Sequence, residues 1–183
     1  MSLELIREDP ERAGVLRAEV EIPGFGRVVL RDMFLMSTRW WADFMAGLSI
    51  FVGEKGLRPV LYYSAYRMMK VHNSRGILAA RGRLSPEEMM EAARMVYRSL
   101  GFGDIVQVSA GGGKVVVRVR NSFEARGRRS DSPVCHFAAG ILAALVEDVT
   151  GIRIGPMVER ECQAAGAELC TFEAEILEGG VSD

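Results

Sequence analysis

Three cysteines are the strongest constraint on how this 183-residue chain can fold. Two of them, Cys162 and Cys170, lie symmetrically about Gly166 in "PMVERECQAAGAELCTFEAEI", Pro156 to Ile176, and Cys135 opens an apolar segment upstream. An odd number cannot all pair, and a reducing compartment disfavours disulfides, so thiolate chemistry or metal binding explains them better. A short turn at Gly166 brings the sulfurs of Cys162 and Cys170 together. Beyond it, Cys170, Phe172, Ala174 and Ile176 share one strand face and Thr171, Glu173 and Glu175 the other, so Cys170 points inward.

"SPVCHFAAGILAALVEDVTG" reads as a helix capped by Ser132, with Pro133 first and Gly151 as its end. Cys135 then falls at about the third helical position, where unpaired N–H groups and the helix dipole favour a thiolate. Glu159 stands three residues before Cys162. In a regular strand these two face opposite ways, so both can reach one ion only across a bulge. Three sulfurs and a carboxylate, Cys135, Glu159, Cys162 and Cys170, suit zinc in a closed tetrahedral and therefore structural site. The residues alone leave a second reading open, in which small cysteines pack in a core. His136 projects about 100° away from Cys135 and reads as a solvent-facing or hydrogen-bonded side chain.

The remaining elements follow from periodicity. "VLRAEVEI" alternates, "PGFG" is turn chemistry and "RVVLRD" is a second short strand, so Val15 to Leu30 reads as a hairpin. From Ser37, Trp41, Phe44, Leu48 and Phe51 recur at helical spacing until Gly53 to Gly56. "RPVLYYSAYRMMKVHN" is a second helix with Leu61, Ala65, Met68 and His72 on one stripe, closed by Gly76. "LSPEE" starts a third, with Ser85 as N-cap, Pro86 first and Glu88 completing a capping box; it runs to Leu100 and ends at Gly101. "DIVQVSAGGGKVVVRVR" is a hairpin with Val115, Val117 and Val119 on one face. The order strands, helices, strands, helix, strands is an α+β pattern of mixed helices and antiparallel sheet. With no linker or composition break, residues 1–183 read as a single domain.

The net charge of −1 offers no field for nucleic acid or an anionic membrane. Arg118, Arg120, Arg126, Arg128 and Arg129 form a basic cluster read as a solvated face. The longest apolar run, Phe137 to Val146, is too short to span a membrane. "MSLELIREDPER" lacks a secretory signal's apolar core, which places the expected location in the cytoplasm.

The stretch from "CHFAAGILAALVEDVTGIRI" through "ERECQAAGAELCTFEAEI" resembles the C-terminal half of the 4-vinyl reductase-type domain. The matching positions are Cys135, Gly140, Glu159, Cys162, Cys170 and Phe172. The likeness extends upstream through "GFGRVVLRDMFLMSTRWWADFMAGL". It implies a structural zinc on Cys135, Glu159, Cys162 and Cys170, with the zinc half at about 131–178. It also implies the fold shared with NO-signalling and vesicle-tethering TRAPP subunits, helix-mediated homodimers, and binding of a small hydrophobic molecule as carrier or sensor. Where relatives carry glycines in an "xYxxGxxxG" stretch, this chain has Ser64, Ala65, Met68 and Met69, which would reshape a cavity.

Trp40, Trp41, Phe44, Leu48, Tyr62, Tyr66 and Met69 are the expected lining for that apolar ligand. Adjacent tryptophans diverge on a helix, so one of Trp40 and Trp41 belongs at a rim or interface. Two other readings remain: an enzyme or accessory of tetrapyrrole vinyl reduction, and a dimeric scaffold like the tethering subunits. "GFGRVV" is too short for a dinucleotide fingerprint and "GGGK" lies in a hairpin, so an enzyme is the less expected class.

Overall fold

A computed structural model describes the backbone at 4–7, 16–22, 26–33, 36–75 and 84–177, and the side chains at 36–71, 73 and 84–177. The architecture is α+β, as the element order led us to expect. Three strands, β1 (Glu4–Arg7), β2 (Leu16–Ile22) and β3 (Gly26–Met33), pair antiparallel in the order β1-β2-β3. The β2–β3 hairpin is the expected one; β1 is an addition that four residues of sequence did not signal. Which face Leu16, Ala18, Val20 and Ile22 present, and the expected stop at Gly76, lie outside the described residues.

A helical run, α1 (Thr38–Arg75), follows and is broken at Gly53, whose φ of 68° and ψ of 163° no helix contains. That break is where the apolar period ran out in the sequence. Glycine makes it inexpensive, because an L-side chain disfavours positive φ. Next comes α2 (Pro86–Ser99), with Ser85 and Glu88 bonded reciprocally as a capping box.

The second sheet carries the site. Strands β4 (Asp104–Gly111), β5 (Lys114–Arg120), β6 (Val158–Glu161) and β7 (Cys170–Glu175) are antiparallel in the order β4-β5-β7-β6. Val115, Val117 and Val119 of β5 and Cys170, Phe172 and Ala174 of β7 are buried on one face, while Arg118 and Arg120 are exposed on the other. Against the buried face lies α3 (His136–Thr150), with Ala138, Ile141, Leu142, Leu145 and Val149 in the same core. This helix is apolar all round, which is the pattern of a helix covered on every side. Its other flank meets α1. Gly140 makes that crossing possible, since a Cβ there would collide with the carbonyl of Tyr62 and crowd Ala65.

Polar groups fix the same crossing at its far end. Tyr66 donates to Glu147 at 2.6 Å, Lys70 bridges Glu147 at 2.9 Å and Asp148 at 2.6 Å, and Asn73 donates to Asp148 at 2.8 Å. Burial alone would lower the Lys70 pKa, but the bonds to Asp148 and Glu147 outweigh it and raise it. The ion pairs therefore hold the ammonium charged.

A candidate metal centre

The structure corrects the expected start of α3. Its N-cap is Cys135, not Ser132, and its first residue is His136, not Pro133. The reason is a long-range cap. Glu124, from the loop after β5, is 1% exposed and accepts from the N–H of Ala138 at 2.7 Å and of Phe137 at 3.3 Å. Glu159 accepts from the N–H of Cys135 at 2.7 Å. Two buried carboxylates thus satisfy the donors that a local serine would have capped. Burial raises Glu124 to about 8, partly offset by its bonds from Ala138 and Phe137. Glu124 gave no signal in the sequence beyond being one acid in a basic loop.

The expected irregularity between Glu159 and Cys162 is present. The β6–β7 register steps from Glu159↔Phe172 to Glu161↔Thr171, a shift that lets the two side chains turn to the same side. Cys162 then caps a short 3-10 turn, Gln163–Ala165, which ends at Gly166. Thr171, expected to face out, is buried because its hydroxyl donates to Glu161 at 2.7 Å.

These local choices bring four distant residues together. Cys135, Glu159, Cys162 and Cys170 are all buried, and one potential ligand atom from each lies within 4.8 Å of the others. The Sγ atom of Cys135 is 3.9 Å from that of Cys162 and 3.8 Å from that of Cys170. A tetrahedral metal with bonds of about 2.3 Å to sulfur requires sulfur–sulfur edges of about 3.8 Å. Disulfides require about 2.05 Å, so the spacing suits a shared ion rather than a bridge. Oε1 of Glu159 is buried with no hydrogen-bond partner among the described residues, while its Oε2 is held by Cys135. An orphaned buried carboxylate oxygen beside three thiols is the donor that a fourth coordination position calls for.

Electrostatics agree with the need for a cation. Bonds from Cys135 and Cys170 pull the Cys162 thiol far down, while the bonds to Cys162 and Cys170 push Cys135 far up. Without a metal the thiols therefore concentrate charge on one sulfur. Burial raises Glu159 to about 7 despite its bond from Cys135. The N–H of Gln163 lies 3.4 Å from the Cys170 sulfur, an outer donor of the kind that orients a thiolate ligand. His136 is partly buried and points to no member of the cluster; burial, followed by Arg58 and Arg128, lowers it to about 4.

The seven residues expected to line a ligand cavity are dispersed along α1. Trp40 is 66% exposed and Phe44 is also exposed. Trp41 packs against Phe137 at 5.0 Å, Phe123 at 5.3 Å and Phe44 at 6.3 Å. Leu48 packs beside Met45, Leu57 and Leu61. Tyr62, Tyr66 and Met69 lie against the main core, and both hydroxyls are used: Tyr62 accepts from the N–H of Met157 at 3.1 Å, and Tyr66 donates to Glu147. Phe123, Phe137 and Phe102 join Trp41 and Tyr97 in one aromatic chain that periodicity along α1 did not reveal. Two surface depressions, of about 570 and 310 Å³, lie elsewhere, beside the 163–166 turn and beside β6.

The molecule is thus an α+β domain whose helix opening and last hairpin share a buried Cys₃Glu cluster. Residues 115–176 match the family model of the vinyl-4-reductase domain, so the chain carries a domain of that type, running from β5 through all four clustered residues to the end of the sheet. An uncharacterized protein of Methanocaldococcus jannaschii is 32% identical over 82 residues, 44% of this chain and 35% of that relative. The match therefore spans about a third of the relative's length.

Among solved structures, the phenol-responsive sensory domain of the transcription activator PoxR, determined with phenol, superposes with a TM-score of 0.65. It is 20% identical, over 83% of this chain and 80% of that one. A vinyl-4-reductase family protein from M. jannaschii gives 0.53 at 21% identity, covering 80% and 85%. Trafficking protein particle complex subunit 3 from Naegleria fowleri, covalently bound to palmitic acid, gives 0.51 at 12% identity, covering 77% and 95%. At these identities the likenesses establish the fold.

Proposed function

We propose that this chain is a sensor or carrier domain for a small apolar molecule, held in shape by a structural zinc on Cys135, Glu159, Cys162 and Cys170. The observation that carries the reading is the buried cluster itself: three sulfurs on a metal-sized spacing, with an unpartnered carboxylate oxygen beside them. A zinc ion there neutralises the thiolates and ties the start of α3 to the β6–β7 hairpin. With all four positions taken by protein, the centre leaves no place for a substrate, which separates it from a catalytic zinc site.

The ligand half of the reading rests on α1 and on fold kinship with a domain solved with phenol. Trp40, Trp41, Phe44, Leu48, Tyr62, Tyr66 and Met69 supply its apolar contacts. The indole N–H of Trp41 is buried without a hydrogen-bond partner among the described residues, beside Phe123 and Phe137. It is a donor suited to an apolar molecule with one polar atom. The exposed side chains Trp40, Phe44 and Phe51 give α1 a face for a second copy, so the working unit is a cytoplasmic homodimer formed from single domains spanning 1–183.

Titration of the purified protein with phenol and with larger alkylphenols, followed by tryptophan fluorescence, tests the ligand half. Saturable quenching that Trp41→Phe abolishes supports it; identical responses from the variant and the parent refute it.

A further inference from the structure

Beside the metal cluster lies a basic cleft that neither zinc nor the apolar ligand uses. One wall is the loop Arg128, Arg129, Ser130 and Asp131; the other is the turn Gln163, Ala164 and Gly166 between β6 and β7. The walls form one unit, because the N–H of Ser130 donates to the carbonyl of Ala164 at 2.9 Å. Gln163 is already engaged, accepting from the N–H of Asn121 at 2.7 Å and donating to the carbonyl of Glu168 at 3.0 Å. Arg126 is tied to the carbonyls of Asn121 and Gly101. Arg128 and Arg129 differ: among the described residues their guanidinium groups make no ion pair or hydrogen bond, with Asp131 or any other group.

We propose that this cleft docks an acidic segment of a protein partner. Two free guanidinium groups on a fixed loop match carboxylates with paired hydrogen bonds, the usual way arginine clusters read acidic motifs. The cleft is open and its volume of about 570 Å³ suits several residues of extended chain. Asp131 discriminates among anions. A compact dianion filling the cleft meets that carboxylate at close range, whereas a peptide spaces its carboxylates apart and offers backbone N–H groups to Asp131 between them. The walls contain no aromatic side chain on which a nucleic-acid base could stack.

The location also gives the partner something to read. The cleft wall is the turn that begins at Cys162, and the N–H of Gln163 touches the Cys170 sulfur. A segment seated there rests on backbone that the metal cluster holds in place. The proposal goes beyond the ligand reading and stands without it.

The test is fluorescence anisotropy of a labelled oligoglutamate peptide with the full zinc-loaded chain. We expect salt-sensitive binding that weakens about tenfold or more in the Arg128→Glu, Arg129→Glu double variant, with zinc content and circular dichroism unchanged. Should the double variant misfold, Arg129→Ala, at an exposed position, still weakens binding. Absence of peptide binding, equal affinity of variant and parent, or displacement by equimolar inorganic phosphate overturns the proposal; so does tighter binding of a single-stranded oligonucleotide than of the peptide. Phenol titration of the same variants, expected to be unchanged, separates this outcome from failure of the ligand reading.

Discussion

Gly140 of α3 lies directly against the backbone carbonyl of Tyr62 in α1, with no room for a Cβ between them. Alanine is the better helix former by about 1 kcal/mol, so in an open position Gly140→Ala would stabilise. Here the obstacle is backbone, which cannot rotate aside, and overpacking costs about 1–3 kcal/mol on top of lost contacts between the helices. We expect a net loss of about 2 kcal/mol. Gly47 in α1 is the control, since nothing stands within 4 Å of a Cβ there, and Gly47→Ala should raise stability by a few tenths to about 1 kcal/mol. Urea midpoints at unchanged m-value measure both.

The buried cap at the start of α3 predicts a particular pH dependence. Glu124 has a folded pKa of about 8 against an ordinary value of 4.5, so the folded state holds its proton more tightly than the unfolded state does. Its contribution is fully present below pH 4.5 and is lost as pH rises through about 8. Arg128 opposes the shift and Glu159 reinforces it, so the neighbours are part of the effect. Glu124→Gln keeps an acceptor for Ala138 and removes the titration. Between pH 6.5 and 8.5, roughly bracketing that pKa, the parent should lose stability relative to this variant, as seen in paired denaturation curves. A constant difference between them across that window contradicts the assignment.

At the other end of the α1–α3 crossing, Lys70 neutralises Glu147 and Asp148 together. Replacement by methionine leaves both carboxylates without their cation, and Asp148 is largely buried. Lys70 itself is about a third exposed, so solvent screens part of the loss, and about 1–2 kcal/mol is expected. The loss should shrink in high salt. A deficit independent of salt would mean that the lysine stem, rather than its charge, holds the crossing.

Much of this arrangement was legible in the sequence because it is local. Ser85, Pro86 and Glu88 specify a helix start within four residues, and the alternation of Val115, Val117 and Val119 specifies a buried strand face. All four cluster residues, and the bulge that Glu159 and Cys162 require, followed from side-chain direction in a strand. The errors were contacts between distant segments. Ser132 offered a plausible local cap, but Glu124 and Glu159 supply the real one from other elements, which moves the helix start to His136. The aromatic chain of Trp41, Phe123, Phe137 and Phe102 joins separate segments, and no periodicity within one helix could reveal it.

X-ray absorption spectroscopy at the zinc edge, combined with metal quantitation of the native protein, tests the central claim most directly. The account predicts about one zinc per chain with three sulfurs near 2.3 Å and one oxygen near 2.0 Å, roughly tetrahedral. It also predicts that a sulfur is lost from this shell in Cys170→Ser. A folded native protein that contains no metal and has three titratable thiols, or a zinc shell of nitrogen and oxygen alone, would contradict it.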